Sequence, residues 1–281
     1  LNLSETELVL DSFNFLNPPS GRTGFRQSAI DTMVLARMIV AGRFDFDAGT
    51  TLSGDAITLD PERIWFFGHS HGGLSGALVM GVDPLPSAAV LSGAAGVLVE
   101  TILRRKDPAN LATLLSVAIG IPKATLDTFH PVLSVMQMLV DATDPINYAP
   151  YWLHPEPGGT AKHVFVTEGT ADHASPWVGT QAMAQAAGLP RLLPLAKGAE
   201  GHALWTDPPQ TPPVSQNADG GRTAGLRQWQ GGNHWVATNN AQARAMWIEM
   251  FRTLVDTGTP VLGTGDAVLT EPAAVPASEA C

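Results

Sequence analysis

The feature that most constrains this chain is a six-residue stretch between two apolar segments. Arg63-Ile64-Trp65-Phe66-Phe67 runs directly into Gly68-His69-Ser70-His71-Gly72-Gly73, which runs directly into Leu74-Ser75-Gly76-Ala77-Leu78-Val79-Met80. The first segment fits a strand buried on both faces of a parallel sheet, and the last fits a helix packed against it. Between them, Gly-x-Ser-x-Gly predicts a sharp strand-to-helix turn whose glycines leave room for a strained serine to lift its hydroxyl above the sheet. The five-residue pattern alone is weak; its place between strand and helix gives it force. Gly72, Gly73 and Gly76 also permit a close helix approach.

A serine hydroxyl is a poor nucleophile near neutral pH, so Ser70 needs a base within hydrogen-bond reach and an acid to orient that base. After such a turn the expected chain order is serine, acid, histidine. Val164-Phe165-Val166-Thr167-Glu168-Gly169-Thr170-Ala171-Asp172 reads as a strand entering a turn, which makes Asp172 the favoured acid. Glu168, still in the strand, and Asp144 are its rivals. For the base, Gly231-Gly232-Asn233-His234-Trp235 places His234 on a loop before the last helical pattern, with His202 as competitor. His69 and His71 flank the serine and are expected to project away from its hydroxyl as packing or polar-contact residues. The His71 backbone N–H is expected to form half of an oxyanion hole, and no second donor loop is evident in residues 1–60.

Three further apolar runs, Ala88 to Leu91, Val164 to Thr167 and Leu192 to Leu195, predict additional strands, the last near a sheet edge because Pro194 lacks a ladder donor. Asn17-Pro18-Pro19-Ser20-Gly21 reads as a loop. A helix with two apolar faces is expected over 27–41, packed on the sheet. Residues 97–150 carry helical patterns that do not alternate with strands and predict an inserted cap, in which Met136 and Met138 offer a pliable apolar wall. The stretch 207–232 shows no periodicity and predicts a loop. A final helix is expected over 240–255, and 258–281 a flexible tail. The organisation is thus one domain over 1–257 plus that tail.

The formal charge of −10 disfavours a phosphate backbone, and nucleic acid is not an expected partner. Arg104-Arg105-Lys106, the one dense basic run, reads as a solvated helix end. The single cysteine, Cys281, allows neither an internal disulfide nor a thiolate metal cluster, and the spacing of Asp45, Asp47 and Asp55 misses an ordered calcium loop. Neither a cofactor nor a metal is expected. The apolar run Leu111 to Ile121 is too short to span a bilayer, so no transmembrane segment is expected.

At these residues the chain resembles the α/β-hydrolase family, in particular bacterial lipase- and esterase-like members with a Gly-His-Ser-x-Gly-Gly elbow. The resemblance takes in about residues 25–256, and Phe13-Asn14-Phe15-Leu16-Asn17-Pro18 followed by Arg26-Gln27 adds a softer match to cap-bearing members. It implies a mostly parallel sheet flanked by helices with a helical cap between strands. It also implies Ser70, Asp172 and His234 as nucleophile, acid and base, and His71 as an oxyanion donor. The implied activity is cleavage of small-molecule or lipid esters, with contact at a membrane surface and a secreted or cell-envelope address. The 62 residues before the elbow strand are too few for the strands that family members place there, so an N-terminally incomplete chain is the expectation. A peptidase or amidase on the same triad, and a non-catalytic ligand-binding module, are the alternatives.

Overall fold

The computed structural model describes residues 7, 13, 14, 17–198 and 205–266. Five parallel strands, β1 (Trp65–His69), β2 (Ala88–Ser92), β3 (His163–Gly169), β4 (Arg191–Leu192) and β5 (Ala224–Trp229), form one sheet in the order β1-β2-β3-β5-β4. Unbroken apolar runs suit β2 and the first half of β3 because alternate side chains enter two different helical layers, whereas β1, expected to be buried on both faces, leaves Phe67 37% exposed. Ala89, Leu91, Val164 and Val166 join one core with Leu74, Met80, Trp152 and Met183. Ala88, Val90 and Phe165 join the other with Met246, Met250 and Leu262.

β5 lies within the stretch expected to be a loop, yet it sits between β3 and β4 and is buried along its length. The apolar-run criterion misses it because Ala-Gly-Leu-Arg-Gln-Trp contains two polar residues. Both have partners inside: Arg227 Nη1 donates to the Pro194 carbonyl oxygen at 2.8 Å, and Gln228 Nε2 donates to Glu168 Oε1 at 2.8 Å. The short β4 ends the sheet next to β5 and stops at Leu192, so of the run expected over Leu192 to Leu195 only the first residue is in a strand and Pro194 lies beyond it.

The proline-rich loop signal at 17–21 is instead the start of helix α1 (Pro18–Val40), because proline loses no hydrogen bond in a first turn and the Asn17 side chain accepts from Ser20 N. α1 does not bury two large apolar faces. It buries Gly21, Phe25, Ala29 and Ala36, whereas Ile30, Val34, Leu35 and Met38 remain exposed. Its small residues let it lie close on helix α2 (His71–Val82), where Ala29 meets Leu78 and Val79. Among the described residues no strand precedes β1; Phe46 and Ile57 form only an isolated antiparallel bridge.

Between β2 and β3, helices α3 (Leu98–Arg104), α4 (Leu111–Ile119) and α5 (Pro131–Val140) build a small core of their own from Val99, Ile102, Leu111, Leu115, Leu133 and Met136. Asp144 ties this unit to the body: its carboxylate accepts from the Val97, Leu98 and Ile146 N–H groups and from Gln137 Nε2, at 2.7–3.0 Å. The chain then re-enters the main core through α6 (Pro150–Leu153), where Trp152 Nε1 donates to the Ala77 carbonyl oxygen.

After β3, α7 (Trp177–Ala186) covers one sheet face; α8 (Val236–Asn239) and α9 (Ala241–Thr257) come after β5. α9 buries Ala243, Met246 and Met250, while Val255 of its expected apolar face is exposed. The segment expected to begin a loose tail packs at first, with Leu262 fully buried and bridged to Val214. Residues 267–281 and His202 lie outside the described residues.

Candidate active site

The registers His69 with Ser92 and Ser92 with Thr167 align the carboxyl ends of β1, β2 and β3. Ser70, Gly93 and Asp172 therefore emerge from the same sheet edge, where the loop after β5 also carries His234. In open α/β sheets this edge is where ligands bind.

Ser70 has φ 56° and ψ −120°, a backbone conformation that an L-residue holds only when its surroundings impose it. Its N–H donates to the Ser92 carbonyl oxygen at 2.9 Å, fastening the turn to the end of β2. A β-carbon at Gly68 would collide with the Gly72 carbonyl oxygen, so this glycine is required by space. At Gly72, by contrast, a β-carbon would meet nothing within 4 Å, so the close-approach role expected of it does not apply there. A parallel sheet, a cap inserted after β2 and a strained serine at a strand-to-helix turn define the architecture. The fold is of the α/β-hydrolase type.

Asp172 and His234 meet: His234 Nδ1 lies 2.8 Å from Asp172 Oδ2, with the two side chains only 12% and 5% exposed for histidine and aspartate. Asp172 Oδ1 accepts from the Ala174 and Ser175 N–H groups at 2.8 and 2.7 Å, which fixes the carboxylate plane. Ser175 Oγ donates to the Gly93 carbonyl oxygen at 2.7 Å, so the Asp172 loop is bolted to the end of β2 as the elbow is. With Asp172 accepting at one ring nitrogen, the proton is assigned to Nδ1, leaving Nε2 as the basic nitrogen. Ser70 Oγ makes no hydrogen bond to another described residue; the Ser70 N–H and the His234 ring lie against adjacent residues, Ser92 and Gly93.

Neither rival carboxylate pairs with His234 among the described residues. Glu168 is buried beneath the site, its Oε1 bonded by Gln181 and Gln228, and burial raises its pKa to about 7. Asp144 is taken up by the cap anchor.

The flanking histidines differ from one another. His71 behaves as expected, packing against Phe13 and Phe25, with Nε2 3.1 Å from Ser28 Oγ. As the first residue of α2, its N–H has no carbonyl one turn back to bond. His69 is not remote: its ring centroid lies 4.7 Å from that of His234 and 4.4 Å from that of Trp235. Burial, then the neighbouring His234, lowers its pKa to about 4, so at neutral pH it is an uncharged platform beside His234.

A cavity lined largely by apolar groups opens beside Ser70, between elbow and cap. Phe25, Leu74, Leu98, Ile102 and Met136 contribute to its wall, together with Arg22 and Arg105. Met138 does not reach it and is 66% exposed. The Arg104-Arg105-Lys106 run is also not simply a solvated helix end: Arg104 pairs with Glu100, but Arg105 is 7% exposed and lines the cavity. Sequence pattern could not separate these two neighbours, because α3 ends between them and turns the second inward. Among the described residues no group of three or more His, Cys, Asp or Glu side chains is placed to hold a metal ion. Nor is any helix among them long and apolar enough to cross a membrane.

No family model and no curated protein matches the chain. Among solved structures it is similar to a Pyrococcus horikoshii acylaminoacyl peptidase at 12% identity and TM-score 0.40, over 69% of this chain and 24% of that one. It is also similar to acetyl xylan esterase 1 from a Thermoanaerobacterium species, at 12% identity and TM-score 0.40, over 73% and 46%. A third likeness is to a Paleococcus ferrophilus monoacylglycerol lipase, at 12% identity and TM-score 0.39, over 81% and 74%. The chain thus spans about a quarter of the length of the peptidase.

Proposed function

We propose that this chain is a serine hydrolase that cleaves carboxylic esters, lipid-like ones in preference, through an acyl-enzyme. The carrying observation is the Asp172–His234 pair held at the sheet edge from which the strained Ser70 rises. In the reaction, His234 Nε2 removes the Ser70 proton as Oγ attacks the ester carbonyl, and Asp172 holds the ring and stabilises the imidazolium. The His71 N–H stabilises the developing oxyanion. The imidazolium then returns its proton to the departing alkoxide. Water, deprotonated by the same nitrogen, releases the acid and restores the serine.

Two observations favour lipid-like substrates. The cavity wall beside Ser70 is predominantly apolar, which suits an acyl chain. In addition, the cap leaves Val117, Phe129, Val135 and Met138 at 78, 88, 52 and 66% exposure, apolar surface that an apolar phase would cover. Contact with a lipid surface would do so, and turnover should then rise when substrate is presented in vesicles.

The test is hydrolysis of short- and long-chain nitrophenyl esters by the protein and its Ser70→Ala form. The proposal expects turnover by the first alone, rising with chain length. Equal turnover by both forms would reject it. Comparing esters with matched amides separates an esterase from a peptidase on the same triad.

A further inference from the structure

Arg105 is the least expected member of the cavity wall. The residue is only 7% exposed, and it sits in the same cavity as Ser70. A buried guanidinium stays charged and requires partners for its five N–H donors. Nε has one, the Asp107 carbonyl oxygen at 2.9 Å, and the Phe13 ring lies 5.2 Å from Cζ. The two Nη groups make no hydrogen bond to another described residue, and no carboxylate among the described residues forms an ion pair with Arg105. Arg22, the second cation in the wall, leaves its buried Nε without a partner among the described residues. No aspartate or glutamate among the described residues lines this cavity, although the chain as a whole carries a charge of −10.

The position of Arg105 is fixed by the catalytic loop. The Lys106 and Asp107 N–H groups both donate to the His173 carbonyl oxygen, at 2.9 and 3.3 Å, so the end of α3 is fastened to the residue after Asp172. The guanidinium is consequently held at a set place relative to the serine, with its two-pronged outer edge available to a ligand.

Resting on the hydrolase reading above, we infer that the substrate carries an anionic group, a carboxylate or phosphate, which Arg105 binds in bidentate fashion while the apolar wall holds the rest of the molecule. An anion supplies the lone pairs that the Nη groups lack and the countercharge that burial demands. Arg22 adds to the same positive field. Arg105 is then a specificity residue, selecting an amphipathic anionic ester over its neutral equivalent. The charges of Asp172 and then Asp107 also act on Arg105, against the lowering of its pKa by burial, and the first defines the competing role: support of Asp172 with no part in substrate choice.

Two matched pairs test the inference and locate the anion. Mono-4-nitrophenyl adipate against 4-nitrophenyl hexanoate places a carboxylate on the acyl side; an acyl lysophosphatidate against the monoacylglycerol of the same chain places a phosphate on the alcohol side. The anionic member of one pair should show kcat/KM about 10- to 100-fold above its neutral partner, the worth of a charge-assisted bidentate contact. Arg105→Met should erase most of that ratio, and Arg105→Lys should retain part of it. The inference is overturned if neither pair shows a preference, if the preference survives in Arg105→Met, or if that variant slows both members equally, the signature of a role through Asp172. Should Arg105→Met fail to fold, the wild-type ratios and the Lys variant decide by the same criteria. Loss of all ester turnover together with an unlabelled Ser70 would instead remove the hydrolase reading and this inference with it.

Discussion

The His234 imidazole rests on Gly93: a β-carbon at position 93 would stand 2.7 Å from His234 Cε1 and 3.0 Å from Nδ1. Gly93 also has φ +56°, so alanine there is doubly disfavoured, by backbone strain and by displacement of the ring. Gly93→Ala should lower kcat on a nitrophenyl ester by at least about tenfold, since small misplacements of a catalytic group are costly. It should also destabilise the fold by roughly 1 kcal/mol or more. Urea unfolding and steady-state kinetics on one preparation check both.

Glu168 offers a prediction about pH. Its pKa is raised to about 7, first by burial and then by the Asp172 charge, with hydrogen bonds from Gln228 and Gln181 opposing. Between the ordinary value of 4.5 and about 7 the folded protein holds a proton that the unfolded chain has lost, so this group costs stability as pH rises through that window. Glu168→Gln removes the cost. The variant should gain on the wild type in urea midpoint at pH 8 and much less at pH 5, while keeping the activity that Asp172→Asn loses.

His69 and His163 act with the opposite sign. Burial lowers both from 6.5 to about 4, and His163 Nδ1 is already committed as acceptor of the Thr223 N–H at 2.9 Å. Between 4 and 6.5 the unfolded chain binds more protons, so their contribution is complete above 6.5 and drains away on acidification towards 4. His163→Gln, which can still accept from Thr223, should flatten the fall of urea midpoint with acid by about one proton's worth of slope.

Asp144→Ala tests the cap anchor. The substitution strands three backbone N–H groups in a site where the carboxylate is fully buried, and takes from Gln137 Nε2 one of its two acceptors, the other being Asp141 Oδ1. Each orphaned buried donor costs about 1–3 kcal/mol, so a loss of several kcal/mol is expected. Hydrogen exchange should show it first in α3 and α5, whose N-terminus and Gln137 depend on that carboxylate.

Strand β1, the elbow and helix α2 are legible in the sequence because their signals are local: an apolar run, a glycine-spaced serine, a second apolar run. The Asp172–His234 pairing is legible through chain order, since each residue occupies a turn just beyond a strand or just before a helix. β5 is hidden because Arg227 and Gln228 find their partners only in the assembled structure, across the sheet edge and on β3. The start of α1 reads as a loop because the same prolines that break a helix interior also begin one. The inward turn of Arg105 and the seat that Gly93 gives to His234 depend on contacts between residues far apart in sequence, beyond what spacing or periodicity can express.

The most direct measurement is intact-mass and peptide-level mass spectrometry after exposure to a fluorophosphonate, comparing the wild type with Ser70→Ala, His234→Ala and Asp172→Asn. An activated serine predicts one adduct, on Ser70, absent in Ser70→Ala and slowed by roughly three to four orders of magnitude in the other two. An adduct on a different residue, or labelling of Ser70 at the wild-type rate without His234, would contradict the account.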